Sequence, residues 1–176
     1  MTSSAAPVGG RHRDASAEAR IEPHVEPRLA PWLAFIRAHA AVSRRLELAL
    51  EAGQALSLAD YDALLQLAMA EAGRLRMSEL ADRLVLTRSG VSRLVDRLVE
   101  DGYVERLACP TDARGAFACL TEAGQARLQA ASPTYLDGVD AHFLAAIPEG
   151  DRDAFVRALE IIITTVSADE RAERGC

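Results

Sequence analysis

The chain has 176 residues, 49% hydrophobic and 26% charged, a composition typical of a soluble globular protein with one core. Its net charge of −6 disfavours a protein that coats nucleic acid without sequence preference. There is no apolar run of about 18 residues to predict a membrane span, and the N-terminus lacks the apolar segment of a secretory signal. Three cysteines without CxxC spacing indicate a reducing compartment. We therefore expect a cytoplasmic protein.

The first part of the chain is predicted to be a flexible arm followed by two helices. Residues 1–28 are rich in Ala, Ser, Pro and Gly, which is typical of a flexible N-terminal segment. Apolar residues at three- and four-residue steps predict a helix from near Pro31 to about Glu51, ended by Gly53. A second helix is predicted to begin at Ser57, whose side chain can cap free amides, and to be closed by Gly73.

Residues 74–124 have the pattern of a winged helix-turn-helix. We predict a short strand at 74–76, a third helix from Met77 to about Leu84, and a turn at residues 86–87. A fourth helix follows from Arg88 to about Glu100, and two strands are predicted at about 103–108 and 116–120. The predicted fold class is therefore mainly α with a small β-hairpin wing.

Two further helices are predicted after the wing. The fifth begins at Thr121, and Pro133 is expected to kink or break it before it resumes. The sixth begins at Pro148, and the polar tail at 168–176 is expected to fray.

The fourth helix is the predicted reading element for DNA. Its apolar positions form one narrow stripe, and the opposite face is polar with short side chains near its N-terminus. Thr87 is the predicted N-cap, which leaves first-turn amides suited to a phosphate. The guanidinium groups of Arg88 and Arg93 can read guanine or clamp a phosphate. The candidate major-groove residues are Thr87, Arg88, Ser89, Ser92 and Arg93, with Arg97 at the flank. The bland alternative is a solvated helix face.

The predicted wing carries a second candidate contact. Pro110, Asp112 and Gly115 supply turn chemistry at its tip. Arg114 can enter a minor groove, where the negative potential of DNA is focused. Asp112 either holds that guanidinium in place or only caps the turn. Local charge agrees with a DNA-binding face, since residues 74–97 hold six arginines against three carboxylates.

Three segments together resemble the MarR (multiple antibiotic resistance regulator) family: SELADRL, TRSGVSRLVDRLVEDGYVER and DARGAFACLTEAG. The wing pattern of the family is met by Asp112, Arg114, Leu120, Thr121 and Gly124. The resemblance covers about residues 29–167. It implies a homodimer that binds a pseudo-palindromic operator in double-stranded DNA, with relief by a small aromatic or phenolic effector or by oxidation.

The resemblance also implies a division of the chain into two structural parts. Residues 29–55 and 121–167 would form a helical dimerisation domain, and residues 56–120 the winged DNA-binding domain. Two departures from the family pattern stand out. Arg76 occupies a position where the family often has Ser or Thr as a helix cap, and no Cys precedes Cys109, which disfavours peroxide sensing near the first helix.

The effector pocket is predicted between the dimer helices and the winged domain, where effectors of the family bind. The candidate lining residues are Trp32, Phe35, His39, Tyr61 and Asp62, although the aromatic residues also fit an ordinary core. His39 and His142 lack ligand-spaced partners, so no metal and no cofactor are predicted.

Three alternatives to a ligand-responsive repressor remain at this stage. Cys109 at the wing turn would make a redox-responsive regulator of the same fold. A winged domain can also serve as a protein-interaction module without DNA binding. An enzyme is disfavoured because the sequence has no phosphate loop, no nucleophile motif and no catalytic constellation.

Overall fold

The computed structural model describes the backbone of residues 26–109 and 112–174, and the side chains of residues 26–108 and 116–168. Six helices and three strands follow one another along this part of the chain: α1 Ala30–Gln54, α2 Leu58–Ala68, β1 Arg74–Arg76, α3 Met77–Arg83, α4 Arg88–Glu100, β2 Val104–Cys109, β3 Asp112–Leu120, α5 Glu122–His142 and α6 Glu149–Arg174. Short 3-10 turns lie at Pro27–Leu29, Glu71–Gly73 and Leu144–Ala146. The predicted fold class is confirmed.

The core lies where α2, α3 and α4 pack against the small sheet. Leu64 and Leu67 of α2, Leu80 of α3 and Val95 of α4 have no exposed surface. Burying side chains of this size contributes about 1.5–3 kcal/mol each relative to leaving them exposed. The apolar stripe of α4 predicted from its sequence is therefore what fixes the helix to the body of the protein.

The sheet is antiparallel with strand order β1-β3-β2. Val104 pairs with Leu120 and Ala108 with Ala116, so this part of the hairpin is symmetric about residue 112. The register shifts between Ala108 and Cys109. Residues 110 and 111, which include Pro110 of the predicted turn, lie outside the described residues.

The junction between the wing and α5 depends on close backbone contact. Thr121 is the N-cap of α5 and accepts a hydrogen bond from the Gly124 amide at 3.0 Å. Its own amide donates to the Tyr103 carbonyl at 3.1 Å, and its hydroxyl donates to the Gly102 carbonyl at 2.8 Å. A Cβ on Gly124 would lie 2.1 Å from the Tyr103 oxygen. The Leu-Thr-x-x-Gly segment thus ties α5 directly to the base of the wing.

Three predicted helix ends were wrong. The first helix continues through Gly53 to Gln54, and Ala55 ends it in the left-handed conformation with φ of 47°. The second helix stops at Ala68 rather than at Gly73, which lies in the following 3-10 turn with φ of 65°. The sixth helix runs to Arg174, beyond the expected fraying point at residue 168.

Pro133 neither breaks nor ends α5, which is one continuous helix from Glu122 to His142. The preceding residue, Ser132, donates a side-chain hydrogen bond to the Leu128 carbonyl at 2.8 Å. Gly138 in the second half of the helix allows close packing, because a Cβ there would lie 2.6 Å from Leu46 of α1. Tertiary packing against α1 therefore outweighs the local cost of a proline in the helix interior.

The cap of α3 differs from the family pattern in its chemistry. Arginine has no acceptor and cannot cap free amides through its side chain. The Arg76 amide instead donates to the Glu79 carboxylate at 2.9 Å. Only one half of a capping box is therefore available at the start of α3.

Candidate nucleic-acid interface and effector cavity

The outward face of α4 is polar and accessible, as its sequence predicts. Val91, Leu94, Val95 and Leu98 are buried on the inner side. The candidate contact residues Arg88, Ser89, Arg93 and Arg97 are exposed, and Ser92 is partly buried. A helix with this division can enter a major groove without exposing its apolar stripe.

The N-terminus of α4 is held by a local hydrogen-bond network. Thr87 accepts from the Gly90 amide at 3.1 Å, and its hydroxyl lies 3.2 Å from the Ser89 hydroxyl. A Cβ on Gly90 would lie 3.1 Å from the Thr87 oxygen. Gly90 therefore leaves room for the Thr87 side chain that caps the helix.

Two of the candidate arginines are free to act on a ligand. Within the described residues, Arg88 and Arg93 form no ion pair and no hydrogen bond. Both lie on the exposed face of α4, one at its first residue and one five residues later. Their guanidinium groups keep all their donors available for base edges or phosphates.

Arg97, by contrast, is engaged with the body of the protein. Its guanidinium lies 2.9 Å from the Asp60 carboxylate on α2, and 54% of the arginine side chain remains exposed. The other oxygen of Asp60 accepts from the Ser57 hydroxyl at 2.6 Å. The structure therefore places Arg97 in a bridge between α4 and the first turn of α2, which its position at the edge of the polar face did not reveal.

Arg106 of β2 is a functional candidate that the sequence reasoning missed. Its guanidinium donates to the backbone oxygen and the hydroxyl of Ser92, at 3.0 and 3.2 Å, and lies 2.9 Å from the Asp96 carboxylate. Strand alternation was the available signal, because Arg106 shares a face with the buried Val104 and so points toward α4. With Arg106 donating to it, the Ser92 hydroxyl can direct its own hydrogen outward.

The tip of the wing is described only in its backbone. Arg114 and Asp112 both lie in β3, and Cys109 ends β2. Their side chains lie outside the described residues. Their predicted contacts therefore stay predictions.

A cavity of about 610 Å³ lies between α1, α2, α5 and α6. Of the five residues predicted to line a pocket, Phe35, His39 and Asp62 do so, while Trp32 and Tyr61 do not. Trp32 is 59% exposed on α1, and Tyr61 is buried. Tyr61 stacks on Tyr135 at 4.3 Å between ring centroids, and it is Tyr135 that reaches the cavity. The sequence analysis did not identify the lining residues that come from α5, from α6 and from the segment between them, which include Phe143 and Phe155.

Asp62 is the acidic residue that lines this cavity. Burial, and to a lesser degree the negative charge of Glu47, raises the pKa of the Asp62 carboxyl to about 6, against the opposing effect of His39. The Tyr135 hydroxyl lies near enough for its own pKa to be raised, first by burial and then by the Asp62 charge.

Comparison with known proteins points to one family. The sequence model described as MarR family matches residues 56–115. Along most of its length the chain resembles Sco3205 of Streptomyces coelicolor, a MarR family transcriptional regulator solved in complex with DNA. The TM-score is 0.72 at 29% identity, with 79% of this chain and 88% of Sco3205 covered. Residues 56–115 therefore match the MarR family model, and the chain shares its fold along most of its length with MarR family transcriptional regulators.

Other MarR-family and helix-turn-helix proteins give the same result. AbsC, a MarR family transcriptional regulator of Streptomyces coelicolor, aligns with a TM-score of 0.72 at 27% identity, over 82% of this chain and 97% of AbsC. The HTH-type transcriptional repressor YetL of Bacillus subtilis is 32% identical over 108 residues. That match covers 61% of this chain and 64% of YetL. All three relatives are named as transcriptional regulators and none as an enzyme.

The chain exposes a large apolar surface on its first and last helices, α1 and α6. Phe35 and Ile36 of α1 are 44% and 37% exposed. The exposed apolar residues of α6 are more than half accessible: Val156, Ile161, Ile162, Ile163 and Val166. Contiguous apolar surface of this kind marks an interaction site.

No group of three or more metal-ligating side chains in the described residues lies close enough together to hold an ion. None of the helices in the described ranges is both long and apolar enough to cross a membrane.

Proposed function

We propose that the protein is a transcriptional regulator that binds a pseudo-palindromic operator as a homodimer and acts as a ligand-responsive repressor. The observation that carries the proposal is the polar face of α4, where Arg88 and Arg93 are exposed and unpaired among the described residues. Sco3205, which shares the fold along most of the chain, was solved in complex with DNA, and YetL is named a repressor.

Each side chain of the reading face has a proposed role. Thr87 fixes the helix start, and Arg88 and Arg93 contact phosphate or base edges in the major groove, with Ser89 and Ser92 as short donors beside them. Arg114, with Asp112 near it, reaches the adjacent minor groove. Arg97 acts mainly as a positioning residue, since it is held by Asp60.

The proposed dimer follows from the exposed apolar helices. A single copy leaves the isoleucines at 161–163 of α6 exposed by 58–67%, a state that a second copy of the chain would relieve. We therefore assign residues 29–55 and 121–167 to dimerisation, and residues 56–120 to DNA binding. In such a dimer the two α4 helices lie about 34 Å apart, one turn of B-DNA, or a multiple of this distance.

The cavity beside α1 supplies the proposed site for a small aromatic effector. Its walls are mostly apolar with a few polar groups, the usual character of a ligand site, and its volume of about 610 Å³ lies in the range of such sites. An effector that fits one arrangement of the dimer better than the other shifts the population away from the DNA-competent form.

The test begins with selection of bound fragments from the source genome, followed by affinity measurements on a selected fragment. Arg93→Ala should weaken binding by about 1–3 kcal/mol and relax the preference at one position of each half-site. Arg28→Ala, which removes an arginine side chain that is 81% exposed and lies outside both proposed domains, is the matched control and should bind like the wild type. A stably monomeric protein, or one that prefers no fragment over random competitor, would refute the proposal.

A further inference from the structure

The cavity has few polar groups, and these include a carboxyl group but no arginine or lysine. Eleven of the lining residues are apolar, and the remaining four are His39, Ser43, Asp62 and Tyr135. No arginine lines the cavity, and the chain contains no lysine. The carboxylate of Asp62, when it is ionised, is therefore the charge that a bound molecule meets.

Asp62 has no partner of its own for that charge. Within the described residues its carboxylate accepts no hydrogen bond and forms no ion pair. Glu47, which adds negative potential, is occupied by the Leu58 amide at 2.6 Å. A carboxylate that is partly removed from water and left unpaired is unfavourable, and a cation or a hydrogen-bond donor placed against it removes that cost.

We propose that the cavity binds a small aromatic cation, with its ammonium group on the Asp62 carboxylate and its rings among Phe35, Tyr135 and Phe155. The stacked rings of Tyr61 and Tyr135 provide a flat, rigid wall beside the carboxylate. Phe143 and Phe155, 5.8 Å apart edge to face, provide a second aromatic wall. An anionic phenol or aromatic carboxylate would find no arginine among the lining residues and would be repelled by the ionised Asp62.

Proton linkage distinguishes the two kinds of ligand. A cation binds best to ionised Asp62, so its affinity is full well above pH 6 and falls by up to about tenfold per unit as the pH drops below that value. An aromatic carboxylate should show the opposite trend. The other titratable groups that interact with Asp62 are His39 and Glu47 of α1 and Tyr135 of α5, whereas α6 lines the cavity only with Phe155 and Leu159. Because the fall in affinity at low pH is assigned to Asp62, the His39→Gln variant should show the same pH dependence of cation binding.

The experiment uses the full chain without DNA and three matched fluorescent probes: 9-(aminomethyl)anthracene, 9-anthracenemethanol and 9-anthracenecarboxylate. At about pH 7.5 the amine should bind about tenfold or more tightly than the carboxylate, the scale of a charge-assisted hydrogen bond. Asp62→Asn should remove that advantage while leaving the affinity for the alcohol within about threefold. Asp101→Asn, which removes the same charge from the exposed end of α4, should change nothing.

Several results would overturn the proposal: equal or tighter binding of the carboxylate, an amine affinity unchanged by Asp62→Asn, or no binding of any probe. Binding of the alcohol to Asp62→Asn reports that the cavity is still folded. A clear preference for the neutral alcohol over the amine would identify a donor-type ligand instead.

Binding of a cation in the cavity does not depend on the proposed function. Only its consequence, release of DNA by the bound cation, rests on that function. The two can fail separately. If the amine binds as expected and no genomic fragment is selected, the proposed function fails and the ligand class stands. If fragments are selected and the charge preference is reversed, only the ligand class fails.

Discussion

Gly124→Ala tests the close contact by which α5 is attached to the wing. The new Cβ would lie 2.1 Å from the Tyr103 carbonyl oxygen, 3.0 Å from its carbon and 2.8 Å from the Leu120 side chain. The oxygen cannot retreat cheaply, because it accepts the Thr121 amide at 3.1 Å. Either the start of α5 or the base of the wing must move.

The size of the effect follows from the kind of atom that is met. Inserting a methyl group into a well-packed region costs about 1–3 kcal/mol, and the first contact here is backbone rather than a flexible side chain. We therefore expect a loss near the upper limit, about 3 kcal/mol, against a gain in helix propensity of about 1 kcal/mol or less. For a chain of this length a loss of about 3 kcal/mol lowers Tm by about 6–12 °C.

Gly53→Ala is the matched control, since it makes the same chemical change inside α1. A Cβ there meets only Thr134, at 3.8 Å, which is ordinary contact. It should raise stability by about 0.5–1 kcal/mol. The assay is urea unfolding at one fixed protein concentration, because dimerisation makes the midpoint depend on concentration. Equal stability of the two variants would refute the argument from the Tyr103 contact.

Three further predictions concern the DNA-binding face. Arg114→Ala should weaken operator binding and reduce the salt slope by about 1, whereas an unchanged affinity in a salt titration would remove the wing from the mechanism. Arg106→Ala should weaken binding by about 1 kcal/mol with little change in salt slope, because its charge is already paired with Asp96; a slope reduced as far as that of Arg114→Ala would show a direct phosphate contact. Peroxide should affect operator binding equally in the wild type and in Cys109→Ser, and loss of binding in the wild type alone would favour the redox alternative.

The redox expectation rests on the geometry of the hairpin. Cys119 pairs with Glu105, four residues before Cys109 on β2, so the two cysteines lie about 13 Å apart along the strand. This separation is too large for a disulfide within the chain. Burial, and secondarily the charge of Glu105, raises the pKa of the Cys119 thiol, so little reactive thiolate forms there.

Local signals were sufficient to predict the reading helix and the wing. Thr87 as N-cap and the Asp101-Gly102 pair act on their immediate neighbours, and α4 begins and ends where they indicate. The turn residues Pro110, Asp112 and Gly115 likewise indicate a hairpin in this segment, and β2 and β3 form one. These features depend on residues a few positions apart, which a single sequence displays.

The parts that could not be predicted depend on residues distant in sequence. Ala55 takes a left-handed conformation that its type disfavours, directly after Gln54, whose backbone carbonyl accepts a hydrogen bond from the Arg127 guanidinium of α5. Pro133 remains inside a helix because α5 is packed against α1. The partner of Arg97 is 37 residues away on α2, and no periodicity reports such a pairing.

Helix α2 bears two acids, Asp60 and Asp62, on nearly opposite sides and with different neighbours. The carboxylate of Asp60 is joined to Arg97 of α4, and Asp62, two positions later, opens into the cavity. A rotation of α2 by a few degrees would displace Asp60 and Asp62 together. The cavity and the DNA-binding helix α4 would then be coupled through one helix of eleven residues, without a longer series of intermediate residues.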